Sequence, residues 1–182
     1  MMRSIDLNAD LGEGYGPWSM GDDAAMLGIV TSANIACGGH AGDPDTMFDT
    51  LAVAGKNNVV VGAHPGYADR AGFGRRIIPM SPDEMARMIA AQIGALSAIA
   101  RLVDVDVRYV KAHGALANLA AGDGAVARVL VNTVQQVDER LAILAISGTE
   151  IERAARSAGV QVFSEVFADR GYQASGQLVP RR

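Results

Sequence analysis

Cysteine is almost absent: Cys37 is the one Cys in 182 residues, which excludes an internal disulfide and fits a reducing compartment. With no second Cys at Cys-X-X-Cys spacing, Cys37 reads as a small core residue rather than a redox centre. Basic runs are missing too. Nothing longer than the pairs Arg75-Arg76 and Arg181-Arg182 stands against a net charge of −4, which argues against nucleic acid or an anionic membrane as a partner. The longest apolar stretches are broken by Gly or charge before the ~18 residues of a bilayer span, and the opening Met1-Met2-Arg3-Ser4-Ile5-Asp6 lacks the apolar centre of a signal peptide. The expected location is the cytoplasm, and the expected partners are small molecules or other proteins. Two local signatures are also lacking: a Gly-X-X-X-X-Gly-Lys-Ser/Thr loop for nucleotide phosphates and a His-Glu-X-X-His metal motif.

What is present is enough apolar material for one globular domain, 1–182: 49% of residues are hydrophobic and 20% charged. The pattern is strand, loop, helix, repeated. In an opening strand from Ile5 to about Asp10, alternation puts Ile5, Leu7 and Ala9 on one face and Asp6, Asn8 and Asp10 on the other. Three stacked polar residues in a strand need a reason, because buried carboxylates are costly unless paired or bound to a cation. A short helix from Asp22 to Leu27, a β-rich run from Ile29 to Cys37, and a helix capped by Asp43 with Pro44 at its first position follow. The apolar run Val59 to Ala63 is a strand buried on both faces that delivers His64. Ser81-Pro82-Asp83-Glu84 is a capping box, opening a helix whose apolar residues keep the 3.6 period from Met85 to Val103. A strand from Val107 to Ala112 ends in His113-Gly114, and Val126 to Val137 is helical. Leu141 to Ile146 is a strand, Ser147-Gly148-Thr149-Glu150 a second capping box opening a helix to about Ala158, and Val160 to Ser164 a sixth strand. From Phe167 onward the chain reads as loop.

Six β-α alternations with right-handed crossovers give an open doubly wound sheet or a (β/α) barrel. An open sheet gathers its ligand groups at one switch point, whereas a barrel draws them from the carboxyl ends of nearly every strand. Here they come from nearly every strand: Asp10 and Glu13, His40 and Asp43, His64, Lys111 and His113, then Glu165 and Asp169. All three histidines of the chain stand at such ends, which favours a functional role over three separate structural ones. Asp43 is explained as a helix cap, Asn34 as a loop tie or a ligand contact, and Trp18 as packing at the barrel mouth. Glu165 and Asp169 have a structural alternative in pairing with arginines such as Arg170. Arg75 and Arg76, beside Gly72 and Gly74, suit a mobile loop that closes on an anionic substrate. Imidazoles and carboxylates at one mouth suit a divalent metal, with His40, His64 and Asp10 as the candidate ligands, or metal-free acid-base work.

Asp6-Leu7-Asn8 through Leu11-Gly12-Glu13, Ser32 through Asp43, Gly62-Ala63-His64-Pro65-Gly66-Tyr67, Gly72-Phe73-Gly74-Arg75-Arg76, Lys111-Ala112-His113-Gly114-Ala115-Leu116 and Ser164-Glu165-Val166-Phe167-Ala168-Asp169-Arg170 together resemble the LamB/YcsF family, the A subunits of 5-oxoprolinases. The resemblance runs over nearly the whole chain. It implies a distorted (β/α) barrel similar to that of the glycoside hydrolase/deacetylase superfamily. It also implies ATP-dependent opening of the 5-oxoproline (pyroglutamate) lactam to L-glutamate with partner subunits B and C; a homo-oligomer is left open. Family members commonly carry Pro at Ala112 and Tyr at Ala117, and they run on beyond Pro180-Arg181 through a strand bearing His-Gly-Asp, so the barrel is expected to be incomplete at its C-terminus. Phosphorylating the lactam oxygen would create a leaving group that unaided hydrolysis lacks. On this reading Asp10 and His113 are acid-base groups, His40 and His64 hold a metal or the reacting oxygen, and Lys111 with Arg75 or Arg76 neutralises anionic charge, with Glu165 also catalytic. Asp6, Asn8, Glu13, Asn34, Tyr67, Arg75, Arg76, Asp169 and Arg170 are the expected substrate contacts. Within the ladder Asp10 is the reacting group and Asp6, deeper in the barrel, its support. Two alternatives stand beside this one: a metal-dependent deacetylase or amidohydrolase working without ATP, and a non-catalytic regulatory protein that binds a small acid.

Overall fold

A computed structural model describes residues 5–174 and 178–179. The elements run β1 (Asn8–Leu11), α1 (Asp23–Leu27), β2 (Ser32–Ala36), α2 (Pro44–Lys56), β3 (Val60–His64), α3 (Pro82–Ala100), β4 (Val107–Val110), α4 (Gly114–Gly122), α5 (Gly124–Val137), β5 (Ala142–Ile146), α6 (Glu150–Ser157) and β6 (Val162–Glu165). All six strands are parallel and lie in chain order, β1 to β6. An order without reversal is the winding of a barrel, not of a doubly wound sheet with a switch point. The sheet curls into a half-barrel, and among the described residues β1 and β6 are its unpaired edges. Pro180, Gly176 and the Arg181-Arg182 pair lie outside the described residues.

Register explains how this sheet makes a site. Directly paired residues share a face, so Asn8 and Asp10 line up with Ser32 and Asn34, Asn34 with Gly62, Gly62 with Tyr109, and Ile146 with Glu165. That face is the polar interior. The other face carries Leu11, Ala33, Ile35, Val61, Ala63, Val110, Ile143 and Ala145, all buried in the core under the helices. Gly62 is required where it stands, because a Cβ there would lie 2.2 Å from the Tyr109 ring. The β3–β4 register slips at that point, between Val61 and Gly62.

The helices close the outer layer. α3 begins with the expected capping box of Ser81 and Glu84 and buries Met85, Ile89, Ile93, Leu96 and Ala100. Continued through the turn to Val103, it is long and apolar enough to cross a membrane by length and composition, contrary to the expectation that no stretch would be. Its stripe is used instead against the sheet core and α5, where Ile89, Ile93 and Leu96 are fully enclosed. Asp43 caps α2 as expected, accepting from the Thr46 amide at 2.9 Å.

Four expectations need correction. Ile5 and Leu7 are 89% and 53% exposed, so the apolar face of the opening strand begins only at Ala9 and Leu11. Trp18 is 70% exposed and does not pack the mouth. The second capping box is displaced: Gly148 takes a left-handed turn (φ 77°), Thr149 is the N-cap without a side-chain cap bond, and Glu152, not Glu150, receives a loop amide, that of Gly148 at 2.6 Å. Finally, α4 was not foreseen.

Candidate active site at the mouth of the half-barrel

Each histidine arrives from a different strand end. His64 closes β3, His40 lies in the tight loop after β2, and His113 is the N-cap residue of α4. They meet with Glu13, from the loop after β1, so that one donor atom from each of the four lies within 4.8 Å of the others. His40 and His113 stack at 3.5 Å between centroids with a 7° tilt, and His64 stands edge-on to both. Glu13 Oε1 is 2.9 Å from His40 Nε2 and 3.7 Å from His113 Nδ1. Glycines permit this crowding: a Cβ on Gly66 would meet His40 Nδ1 at 2.9 Å, and one on Gly74 would meet His40 Cβ at 2.7 Å.

The hydrogen bonds fix which ring nitrogens carry protons. His64 Nδ1 is 2.7 Å from the Lys111 carbonyl, and His113 Nε2 is 2.9 Å from the Phe73 carbonyl. Carbonyls only accept, so both of those nitrogens bear hydrogen. The nitrogens left over, His64 Nε2 and His113 Nδ1, face one another at 3.0 Å. With both rings neutral, two lone pairs are in contact. One proton shared between the rings, or a cation beside them, removes the conflict.

Burial, with His64 beside them, lowers the pKa of His40 and of His113 to about 3, so both are neutral imidazoles at ordinary pH. Burial raises that of Glu13, opposed by His64. Three imidazole nitrogens and a carboxylate oxygen are a donor set that suits Zn²⁺ or a similar divalent ion. Two of the rings already have their outer N–H tied to main-chain carbonyls, the support that metal-ligating histidines usually have. His40 Nδ1 is buried with no hydrogen-bond partner. The residues therefore fit a metal, with Glu13 and His113 in the set where the sequence suggested Asp10.

Asp10 belongs instead to an adjoining charged network, though its Oδ2 is 3.5 Å from His64 Nε2. Its Oδ1 accepts from Asn34 Nδ2 at 2.7 Å and from Lys111 Nζ at 3.1 Å. Lys111 Nζ also donates to Glu165 Oε1 at 2.7 Å and lies 5.0 Å from the Phe167 ring. Thus the extension of β4 bridges the two open edges, β1 and β6. Burial raises the Asp10 pKa, but His64, Lys111 and Asn34 outweigh it and hold the carboxyl well below the usual carboxylate range. Among the described residues Glu165 pairs with Lys111 and not with an arginine, and its buried Oε2 has no partner.

Below this layer, Asn34 is wholly buried and exchanges hydrogen bonds with Asn8, so it is part of the interior ladder and not a loop tie. Tyr109 joins them, donating to Asn34 Oδ1 at 2.7 Å. Its place in the site was missed, although it lies in the expected strand and alternation two positions before Lys111 puts it on the same face. Gln92 was missed as well; from α3 it donates to the Gly66 carbonyl at 2.7 Å and accepts from the Gly66 amide at 3.1 Å, pinning the loop that follows His64.

Other expected contacts lie elsewhere. Asp6 is exposed ahead of β1, accepting from Thr31 and Ser32 at 2.5 and 2.6 Å, and so is not deep in the barrel. Tyr67 is fully enclosed in the hydrophobic core. Arg76 is committed to Asp69 and Arg170 donates to the Val179 carbonyl at 2.7 Å, whereas Arg75, over the Phe73 ring at 5.2 Å, stays near enough to Glu13 and His40 to act on both through its charge. Asp169 is exposed. Cys37, buried with its thiol pushed up to about 12 by desolvation, accepts from the His64 amide at 3.1 Å, in keeping with a core role.

The LamB/YcsF family model matches residues 5–182. The chain is 51% identical over 180 residues to the 5-oxoprolinase A subunit of Gluconobacter oxydans, covering 99% of this chain and 71% of that protein. It is 50% identical over 181 residues to the third 5-oxoprolinase A subunit of Pseudomonas syringae pv. tomato, covering 100% and 71%. Among solved structures, the lactam utilization protein of Thermus thermophilus superposes with a TM-score of 0.94 at 42% identity, over 98% of this chain and 72% of that one.

Proposed function

This chain belongs to the LamB/YcsF family, and on that premise we propose that it takes part in the ATP-coupled opening of the 5-oxoproline lactam to L-glutamate, as the A component of an assembly with B and C subunits. The observation that carries the reading is the convergence of Glu13, His40, His64 and His113 beside the Asp10–Lys111–Glu165 network at one mouth. A divalent ion held by the first group would polarise a carbonyl or phosphoryl oxygen. The protein's own groups divide the remaining work. Asp10, kept ionised and partly open to solvent, is placed to orient a donor hydrogen or hold positive charge at Oδ2, while Lys111 offers positive charge beside it. The five-atom ring with its carboxylate suits a small polar mouth floored by Asn8, Asn34 and Tyr109.

The test is glutamate release from 5-oxoproline by this chain with and without B and C subunits, each with and without ATP. Release that needs both ATP and the partners is expected. A second reading, a metal-dependent amidohydrolase without ATP, is favoured by the same donor cluster and by the lack of a Gly-rich nucleotide loop. Release by this chain alone with metal and no ATP would establish it. No release in any combination would leave the non-catalytic acid-binding reading.

A further inference from the structure

The geometry points to Asp69 and Arg76 as positioning residues for His113, acting through the main-chain carbonyl of Phe73. Neither side chain is part of the histidine cluster. What connects them to it is the short loop between, which contains a 3-10 turn at Arg70–Gly72. Phe73 follows in the left-handed region (φ 53°), a conformation that bulky side chains rarely adopt unless their surroundings impose it.

The surroundings do impose it. Asp69 Oδ1 accepts from the Gly72 amide at 3.0 Å, and the Asp69 carbonyl accepts from the Gly74 amide at 2.9 Å. Arg76 grips the same carboxylate with both arms of its fork, Nε to Oδ2 at 2.9 Å and Nη2 to Oδ1. The Asp69 side chain is 4% exposed while that of Arg76 is 66% exposed, so the arginine covers a buried anion whose other support is the Gly72 amide. Gly72 has no room for a side chain between the partners: a Cβ would lie 2.2 Å from Asp69 Oδ2 and 2.3 Å from Arg76 Nε. At the far end, the Gly74 carbonyl accepts from the Ala115 amide at 2.9 Å, tying the loop to α4.

Held in this way, Phe73 does two things. Its carbonyl receives His113 Nε2–H at 2.9 Å, and its ring stands edge-on to His40 and His113 at 5.3 and 5.2 Å between centroids. The first contact obliges His113 to present Nδ1 as a bare acceptor towards His64 and Glu13. Without the Asp69–Arg76 clamp the loop keeps only its main-chain ties, the carbonyl is held less firmly, and His113 gains access to the other tautomer.

The experiment is ¹⁵N NMR of the histidine rings in the full chain, with Zn²⁺ affinity measured by chelator competition on the same samples. In the unsubstituted protein His113 should carry a full proton at Nε2, whether or not its Nδ1 shares one with His64. Arg76→Ala should give a mixture of tautomers and weaken Zn²⁺ at least about tenfold, the scale of lost support behind a metal-ligating histidine. A folded Arg76→Ala that keeps full protonation at His113 Nε2 and its Zn²⁺ affinity, or an unsubstituted protein with His113 Nε2 unprotonated, would overturn the inference. Should Arg76→Ala fail to fold, Arg76→Gln, which removes the charge and keeps a donor, is read by the same two outcomes. The Zn²⁺ measurement rests on the metal reading of the cluster, but the tautomer does not: absence of Zn²⁺ binding to the unsubstituted chain would sink the first while the second still decides.

Discussion

Replacing Lys111 by Met would leave Glu165, whose side chain is 10% exposed, as a buried carboxylate without its ammonium partner. Stripping one partner from a buried charge group costs about 3–5 kcal/mol. Urea unfolding should show a loss of that order for Lys111→Met, and Lys111→Met combined with Glu165→Leu should recover part of it. If the single variant unfolds like the unsubstituted protein, the network contributes nothing to stability. At this scale the sequence was informative about which residues meet, because His40, His64, His113, Asp10 and Lys111 all sit at predictable strand ends. It was poorer on what each one does. Glu13 was expected to touch substrate and stands among the histidines, whereas Asp10 was expected as a ligand and instead joins Lys111. Phe73 could not be foreseen at all, since it acts through a main-chain carbonyl that every residue possesses.

Strand periodicity and helix capping made the elements legible, and the exceptions have physical reasons. α4, Gly114–Gly122, opens on His113 with no side-chain cap bond and is apolar around most of its circumference, so neither a start signal nor an amphipathic stripe marks it. For α6 a glycine turn shifted the start and made Glu152 the receiving carboxylate. Ser164, Arg156 and the Gly148 amide hold the Glu152 pKa down to about 2, from an ordinary value of 4.5. A carboxyl depressed in the folded state contributes stability above its unfolded pKa and loses it as pH falls through the folded one. The melting temperature of the unsubstituted protein should therefore exceed that of Glu152→Gln at pH 6, and the gap should narrow from about pH 4.5 down to about pH 2. A gap independent of pH would contradict the assignment. In the sheet, Gly62→Ala should cost about 1–3 kcal/mol by overpacking against Tyr109, measured by urea unfolding, with relief in Gly62→Ala/Tyr109→Leu. An unaffected single variant would show that the ring has room to move.

On the scale of the whole molecule, the sequential order of six parallel strands turns one face of the sheet into a polar interior and the other into a helix-covered core. That division was visible in advance from where the polar residues fell, and it separates this fold from an open sheet with one switch point. The curl was less visible, since it shows only when Lys111 on the fourth strand's extension reaches both Asp10 and Glu165. The lactam utilization protein of Thermus thermophilus carries the same architecture within a longer chain, of which this one covers 72%. The account rests on Glu13, His40, His64 and His113 forming a divalent-cation centre. Elemental analysis of the purified full chain after dialysis against Zn²⁺ tests it most directly, set beside His64→Ala/His113→Ala. The account predicts about one Zn²⁺ per chain in the unsubstituted protein, as for a single site of this donor set, and background levels in the double variant. Equal metal content in the two proteins would contradict it.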